Sequence, residues 1–127
     1  MKVITLKQPW ATLIAEGLKK YEFRSWRYNY RGEILIHAGA GVDYDAMKKV
    51  EPLSLDYPQK KIIAKVTIED CLELNDELNK KICESNPMVY GNKNRTGFAW
   101  KLNNVKKVNI NKTINGKQGI WNYDLDE

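Results

Sequence analysis

The chain has 127 residues, 43% of them hydrophobic, and 21 Lys/Arg against 16 Asp/Glu give it a net charge of +5. That length supports one domain with its own apolar core, needing neither disulfides nor metal, and the positive balance points to polyanions. No apolar run approaches the roughly 20 residues that cross a bilayer, and Met1 leads into "KVITLKQPW" rather than a signal peptide, so a cytoplasmic protein away from membranes is expected.

Read in chain order, "QPWATLIAEG" is a short helix. Pro9 suits its first turn, Trp10, Leu13 and Ile14 fall at i, i+3 and i+4, and Gly17 can take the left-handed closing position. From Tyr21 the period becomes two, with Tyr21 and Phe23 on one face and Glu22 and Arg24 on the other. "GEILIHA" reads as a short buried strand, "DYDAMKKVE" as a helix capped by Asp43, "KKIIAKVTIEDCLEL" as a long strand and "NDELNKKICES" as another helix. "TGFAWKLNNVKKVNI" alternates Phe98, Trp100 and Leu102, and "GKQGIWNY" places glycine turns around a last aromatic pair. No repeat, low-complexity tract or linker interrupts residues 1–127, which are read as a single domain. Strands dominate without regular crossover helices, so a small barrel with helices packed outside fits better than an alternating parallel sheet.

Charge is unevenly distributed. Residues 1–32 hold seven Lys/Arg against Glu16 and Glu22, and residues 85–117 hold seven (Lys93, Arg95, Lys101, Lys106, Lys107, Lys112 and Lys117) with no acid. Should these two segments meet, they form a basic face suited to nucleic acid. Within the first segment, a helix ending at Gly17 and turning at once into a strand leaves Lys19 at the junction, with Glu22 and Arg24 projecting from one strand face. Such a junction holds a lysine against a carboxylate, either as a surface ion pair, as an ammonium fixed for phosphate, or as one tuned for proton transfer. "RSWRYNYRG" then interleaves Arg24, Arg27 and Arg31 with Trp26, Tyr28 and Tyr30; guanidinium groups contact phosphates while rings stack on bases, or the same rings pack over the barrel.

Cys71 and Cys83 lack C-x-x-C spacing and His37 is the single histidine, so no zinc pattern assembles; free thiols, no metal and no cofactor are expected. His37 ends a buried strand and is read as satisfying a core or cleft hydrogen bond, and Trp10 and Trp100 as core or cleft wall. Gln118 offers a donor and an acceptor that either read a base edge or tie down a turn.

The run "LKQPWATLIAEGLKKYEFRSW", followed by "YRGEILIHA", resembles the ASCH domain, the activating-signal-cointegrator homology domain, whose signature G-x-K-x-x-E-x-R stands here as Gly17, Lys19, Glu22 and Arg24. The resemblance continues through "DYP" at 56–58, "IIAKVTIEDCL" at 62–72, "GFAWKLNNV" at 97–105 and "GKQGIW" at 116–121. It implies an α+β fold of PUA-like type, a small mixed β-barrel with short helices outside, and a cleft beside the helix-to-strand junction that takes RNA or another nucleic-acid ligand. One branch of such proteins resembles an amidohydrolase acting on N4-acetylcytidine, in which a lysine matching Lys19 assists a threonine three residues on, with a later glutamate; ribonuclease activity is also associated with the family. Here Glu22 stands in the threonine's place and serves at most as a base for water. Glu69, Asp70 and Glu73 are the candidates for the later acid.

The residues therefore point to binding of a nucleotide or single-stranded nucleic acid, RNA foremost, in a basic cleft. Lys19 and Arg24 would meet phosphate or a polar base substituent, Glu22 would orient them, and Trp26, Tyr28, Tyr30 and Arg31 would supply stacking and further phosphate contacts, with Gln118 as a base reader. The alternatives are a small hydrolase acting on a modified nucleoside or an RNA phosphodiester, with Lys19 and Glu22 as its catalytic acid and base, and a module whose basic face meets an acidic protein.

Overall fold

A computed structural model describes residues 1–125 and contains six strands and four α-helices. In chain order they are β1 (Lys2–Gln8), α1 (Trp10–Ala15), β2 (Tyr21–Arg24), β3 (Gly32–Val42), α2 (Tyr44–Val50), β4 (Lys61–Glu73), α3 (Asp76–Ser85), α4 (Pro87–Tyr90), β5 (Phe98–Lys107) and β6 (Ile120–Asn122). The strands form one sheet in the order β2-β5-β4-β3-β1-β6, with β1 parallel to β3 and the other pairs antiparallel. This is the expected α+β class with a mixed sheet. The sheet does not close: β2 and β6 are its edges. It curls far enough for an Arg24 guanidinium nitrogen on β2 to lie 3.5 Å from the Thr5 carbonyl on β1, beyond the end of β1's pairing with β6.

The sequence reading assigns no element to residues 1–7 and starts a helix at Gln8, whereas Lys2–Gln8 is a strand. This is β1, whose Val3, Ile4, Leu6 and Gln8 are all buried, so burial on both faces removes the alternation that marks a half-exposed strand. The strand read as "GEILIHA" runs on to Val42, because Gly39 lies against the Thr5 side chain and a Cβ there would approach its methyl to 2.7 Å. Asp43 caps α2 by accepting from the Ala46 N–H, and Asn75 does the same for α3 with Leu78.

Helix α1 lies across the curled sheet against β1, β3, β4 and β5. Ala11, Ile14 and Ala15 enter the main core with Ile36, Val66, Ile68 and Trp100, whereas Leu13 joins a second core with Ile82, Val89 and Tyr90. A third cluster of Val3, Leu35, Ile62 and Trp121 is covered by Val108, Ile110 and Ile114. The helix starts without a side-chain cap on Pro9; buried Gln8 instead accepts from the Thr12 N–H at 3.0 Å and donates to the Thr12 hydroxyl and the Pro58 carbonyl. It ends where expected, with Gly17 at φ +76° and the N–H groups of Leu18 and Lys19 returning to the Leu13 carbonyl. Among the described residues no helix is long and apolar enough to cross a membrane.

Candidate functional site

The return of the chain at Gly17 delivers Lys19 into the interior at the start of β2. Its side chain is only 4% exposed, and its ammonium donates to the Tyr21 carbonyl and, at 3.0 Å, to Glu22 Oε1. The Phe23 and Trp10 rings lie 5.0 and 5.9 Å away from it. The other Glu22 oxygen accepts from Arg24 Nε at 3.0 Å. Lysine, glutamate and arginine thus form one chain at spacings of three and two residues. Burial pushes the Lys19 pKa below its ordinary value; Glu22 opposes the shift, and Arg95 and Arg24 add to it.

Lys19 and Glu22 open into a cavity of about 210 Å³ whose other walls are Trp10, Phe23, Asp43, Lys93 and Arg95. A second cavity of about 200 Å³ shares Trp10, Asp43, Lys93 and Arg95 with the first and adds Asp45, Lys49 and the α4 end, so the two form one cleft. Arg95 is held by three groups: its guanidinium lies 4.3 Å from the Phe23 ring centroid, donates to the Tyr90 carbonyl at 2.7 Å and reaches Cys83 Sγ at 3.6 Å. The Tyr90 hydroxyl in turn accepts from the Lys20 N–H at 2.7 Å, and its ring meets Tyr21 and Phe23 edge-on. One buried tyrosine therefore ties the Lys19 junction to the Arg95 loop.

The structure brings Lys19, Glu22 and Arg24 together, but Arg24 turns toward β1 and does not line the cleft. Lys93 and Arg95 occupy the cationic positions there. They belong to the acid-free segment 85–117, so the two basic segments meet at this cleft, and the absence of acids was the one sequence signal for them. Trp26 is 37% exposed and packs edge-on to buried Trp100 at 4.9 Å, with Tyr28 5.0 Å from the same ring and Tyr30 5.8 Å from Tyr28. Because Glu22 pairs directly with Trp100 across β2 and β5, this aromatic group lies on the sheet face that carries Glu22 and Arg24. The Tyr30 hydroxyl donates to the Glu33 carbonyl, and exposed Arg31 donates to the Tyr28 and Tyr30 carbonyls and lies 3.5 Å from Asp70. Gln118 lines a separate cavity of about 420 Å³ with Thr5, Lys60 and Lys117 and shares no wall with the Lys19 cleft. Of the acids considered as partners of Lys19, Glu69 pairs with Lys101, Asp70 with Arg31 and Glu73 with Arg27, and none lines the cleft. Cys71 and Cys83 are buried and free.

A curled mixed sheet with a helix laid across it, and a Lys-Glu-Arg chain where that helix turns into an edge strand, defines a small α+β domain of PUA-like type. The chain belongs to the ASCH domain family, whose model matches residues 4–112. It is similar to activating signal cointegrator 1 of Homo sapiens, 26% identical over 140 residues that cover 95% of this chain and 22% of that protein. Activating signal cointegrator 1 of Mus musculus is 26% identical over 133 residues, with the same coverage. The chain thus spans 22% of the length of these curated relatives.

Proposed function

We propose that this chain is one domain that binds single-stranded nucleic acid, RNA foremost, in the Lys19–Arg95 cleft. The observation that carries this reading is the meeting of the two basic segments around Trp10, where Lys19, Lys93 and Arg95 share a cavity with the Glu22 carboxylate. Lys19 has used two of its three N–H donors on Tyr21 and Glu22, and Glu22 retains lone pairs beyond those facing Lys19 and Arg24. A donor beside an acceptor reads a base edge in which a carbonyl or ring nitrogen neighbours an N–H. Arg95 and Lys93 face the backbone, and Trp26 with Tyr28 offers a partly exposed stacking surface. A cytoplasmic location belongs to the same reading, since two free thiols suit a reducing compartment.

The test is anisotropy titration of labelled single-stranded RNA in low salt, with melting curves of each variant. Arg95→Ala and Trp26→Ala are each expected to weaken binding about tenfold while the protein remains folded at the assay temperature. Absence of binding by the wild type, or unchanged affinity in both folded variants, overturns the reading.

A hydrolase reading rests on a different observation, the burial of the Lys19 ammonium against the Glu22 carboxylate at a cavity wall; burial pushes the lysine pKa down, the direction in which proton-transfer lysines are tuned. Deacylation of N4-acetylcytidine by the wild type, abolished by Glu22→Gln, would establish it in place of simple binding.

A further inference from the structure

We infer that the sheet face turned away from α1 carries a phosphate-binding site, separate from the Lys19 cleft and independent of the nucleic-acid reading above. Thr5 alternates along β1 with Ile4 and Leu6, which enter the core beneath α1, so its side chain lies on the opposite face, 3.2 Å from His37 Nδ1. There Lys60, just before β4, and residues 115–118 border an open basin of about 420 Å³ that has no residue in common with the cleft. None of the described residues lining it is aromatic or acidic. It therefore offers no ring on which a base would stack and no carboxylate that would repel an anion.

Two lysines are held together at this basin. Ile114 donates its N–H to the Lys60 carbonyl at 2.7 Å, and its own carbonyl accepts from buried His37 Nε2 at 2.6 Å, so one residue fastens both Lys60 and the start of the 115–118 loop to the sheet. Gly116 lets that loop lie directly on β1 and β3, where a Cβ would come to 2.8 Å from the Thr5 hydroxyl oxygen and 3.1 Å from His37 Cε1. Lys60 stands at φ +57°, a left-handed conformation in which glycine is the unstrained residue. A lysine there gives up backbone stability and places an ammonium on the basin, which is where strain marks a functional position. Neither Lys60 nor Lys117 has an ion-pair partner among the described residues, and the Trp121 ring, 5.8 Å from the Lys117 ammonium, carries no opposing charge. With the carboxamides of Asn115 and Gln118, the two ammonium groups make four donor groups around one opening. Phosphate accepts from several directions through its tetrahedral oxygens, whereas a carboxylate offers two oxygens in one plane, so the set suits phosphate.

Amide NMR shifts of the full chain, followed during titration with inorganic phosphate at constant ionic strength, test this. Sodium acetate serves as the control for anions in general, and a single-stranded RNA as a second source of phosphate. Phosphate is expected to move the amides of Lys60 and of residues 115–119 saturably, while acetate at the same concentrations moves them little. Lys60→Gly combined with Lys117→Gln, two exposed positions of which the first gains a residue suited to its backbone, should weaken phosphate about tenfold and melt at the wild-type temperature or above. RNA that moves the same amides, and does so more weakly in the double variant, assigns the site to backbone phosphates; RNA that leaves them in place while inorganic phosphate moves them assigns it to free phosphate. Acetate shifts as large as those of phosphate, unchanged phosphate affinity in the folded double variant, or no saturable shift with either phosphate source overturns the site. None of these results bears on RNA binding in the Lys19 cleft, which the Arg95 and Trp26 variants test separately.

Discussion

Glu22 stands between two cations, one almost wholly buried and one 27% exposed, and each of its oxygens faces one of them. Three of the four signature residues therefore act first on one another, because an ammonium in this environment persists only with a counterion. Removing the carboxylate leaves Lys19 uncompensated. Glu22→Gln is expected to cost about 3–5 kcal/mol in urea denaturation at neutral pH. Lys19→Met in the same chain should restore at least half of that loss, because the orphaned charge is then gone and the new amide still accepts from Arg24. A double variant less stable than Glu22→Gln alone would contradict the pairing. The same geometry engages the Arg24 side chain with Glu22 and the Thr5 carbonyl.

At the scale of elements, the site depends on how β2 reaches β5 and how the segment after β5 crosses the sheet. Gly97 enters β5 at φ +93°, and a Cβ there would lie 2.6 Å from the Arg24 carbonyl, so a glycine is what lets the end of β2 lie flat on β5. On the other side of the sheet His37, fully buried, donates from Nε2 to the Ile114 carbonyl at 2.6 Å. Its Nδ1 accepts from the Thr5 hydroxyl, which itself accepts from Trp121 Nε1 at 3.0 Å. These bonds fasten segment 108–119 and β6 to β1 and β3 and suit a neutral ring. Burial lowers the His37 pKa from its ordinary 6.5, with the Ile114 bond as a smaller opposing effect. The unfolded chain then takes up a proton before the folded one does, so stability rises with pH up to about 6.5 and levels off above it. The wild type is expected to lose more stability between pH 7.5 and pH 5 than His37→Gln, whose side chain does not titrate. Identical pH profiles for the two proteins, measured by denaturant unfolding, would remove His37 from this role.

For the whole molecule, several of the 21 Lys/Arg lie beside acidic partners. Lys101 pairs with Glu69, Lys107 with Glu16, Lys65 with Glu33, and Arg27 and Arg31 with Glu73 and Asp70. Lys49, Lys93 and Arg95, which are in none of these pairs, line the cleft. A single strand releases counterions with a slope of about −0.7 per phosphate neutralised, so a strand confined to these three cleft cations should give a slope of log affinity against log salt no steeper than about −2. A slope of −5 or beyond would mean that the strand displaces the acidic partners of the surface lysines and spreads across the sheet.

Sequence alone determined what depends on neighbours along the chain. Helix α1 with its glycine stop, the Asp43 cap, the alternation of β2 and the Lys19-Glu22-Arg24 chain all arise within a few residues, where hydrophobic period, φ preference and side-chain reach decide the outcome. The α+β class was legible for the same reason, since strand patterns outnumbered helix patterns and no crossover rhythm separated them. Tertiary structure decided the rest. Lys49, Lys93 and Arg95 come to Trp10 from 39, 83 and 85 positions away, through the packing of α4 on α2 and the pairing of β5 with β2, and no local period encodes such a meeting. Strand β1 was hidden because both its faces are covered, and Gln118 parted from the Lys19 site because its cavity is walled by Thr5, Lys60 and Lys117. Which arginine lines the cleft was likewise decided by packing: Arg24 pairs with its own strand neighbour, whereas Arg95 lies on the cavity wall, anchored by groups that carry no opposing charge.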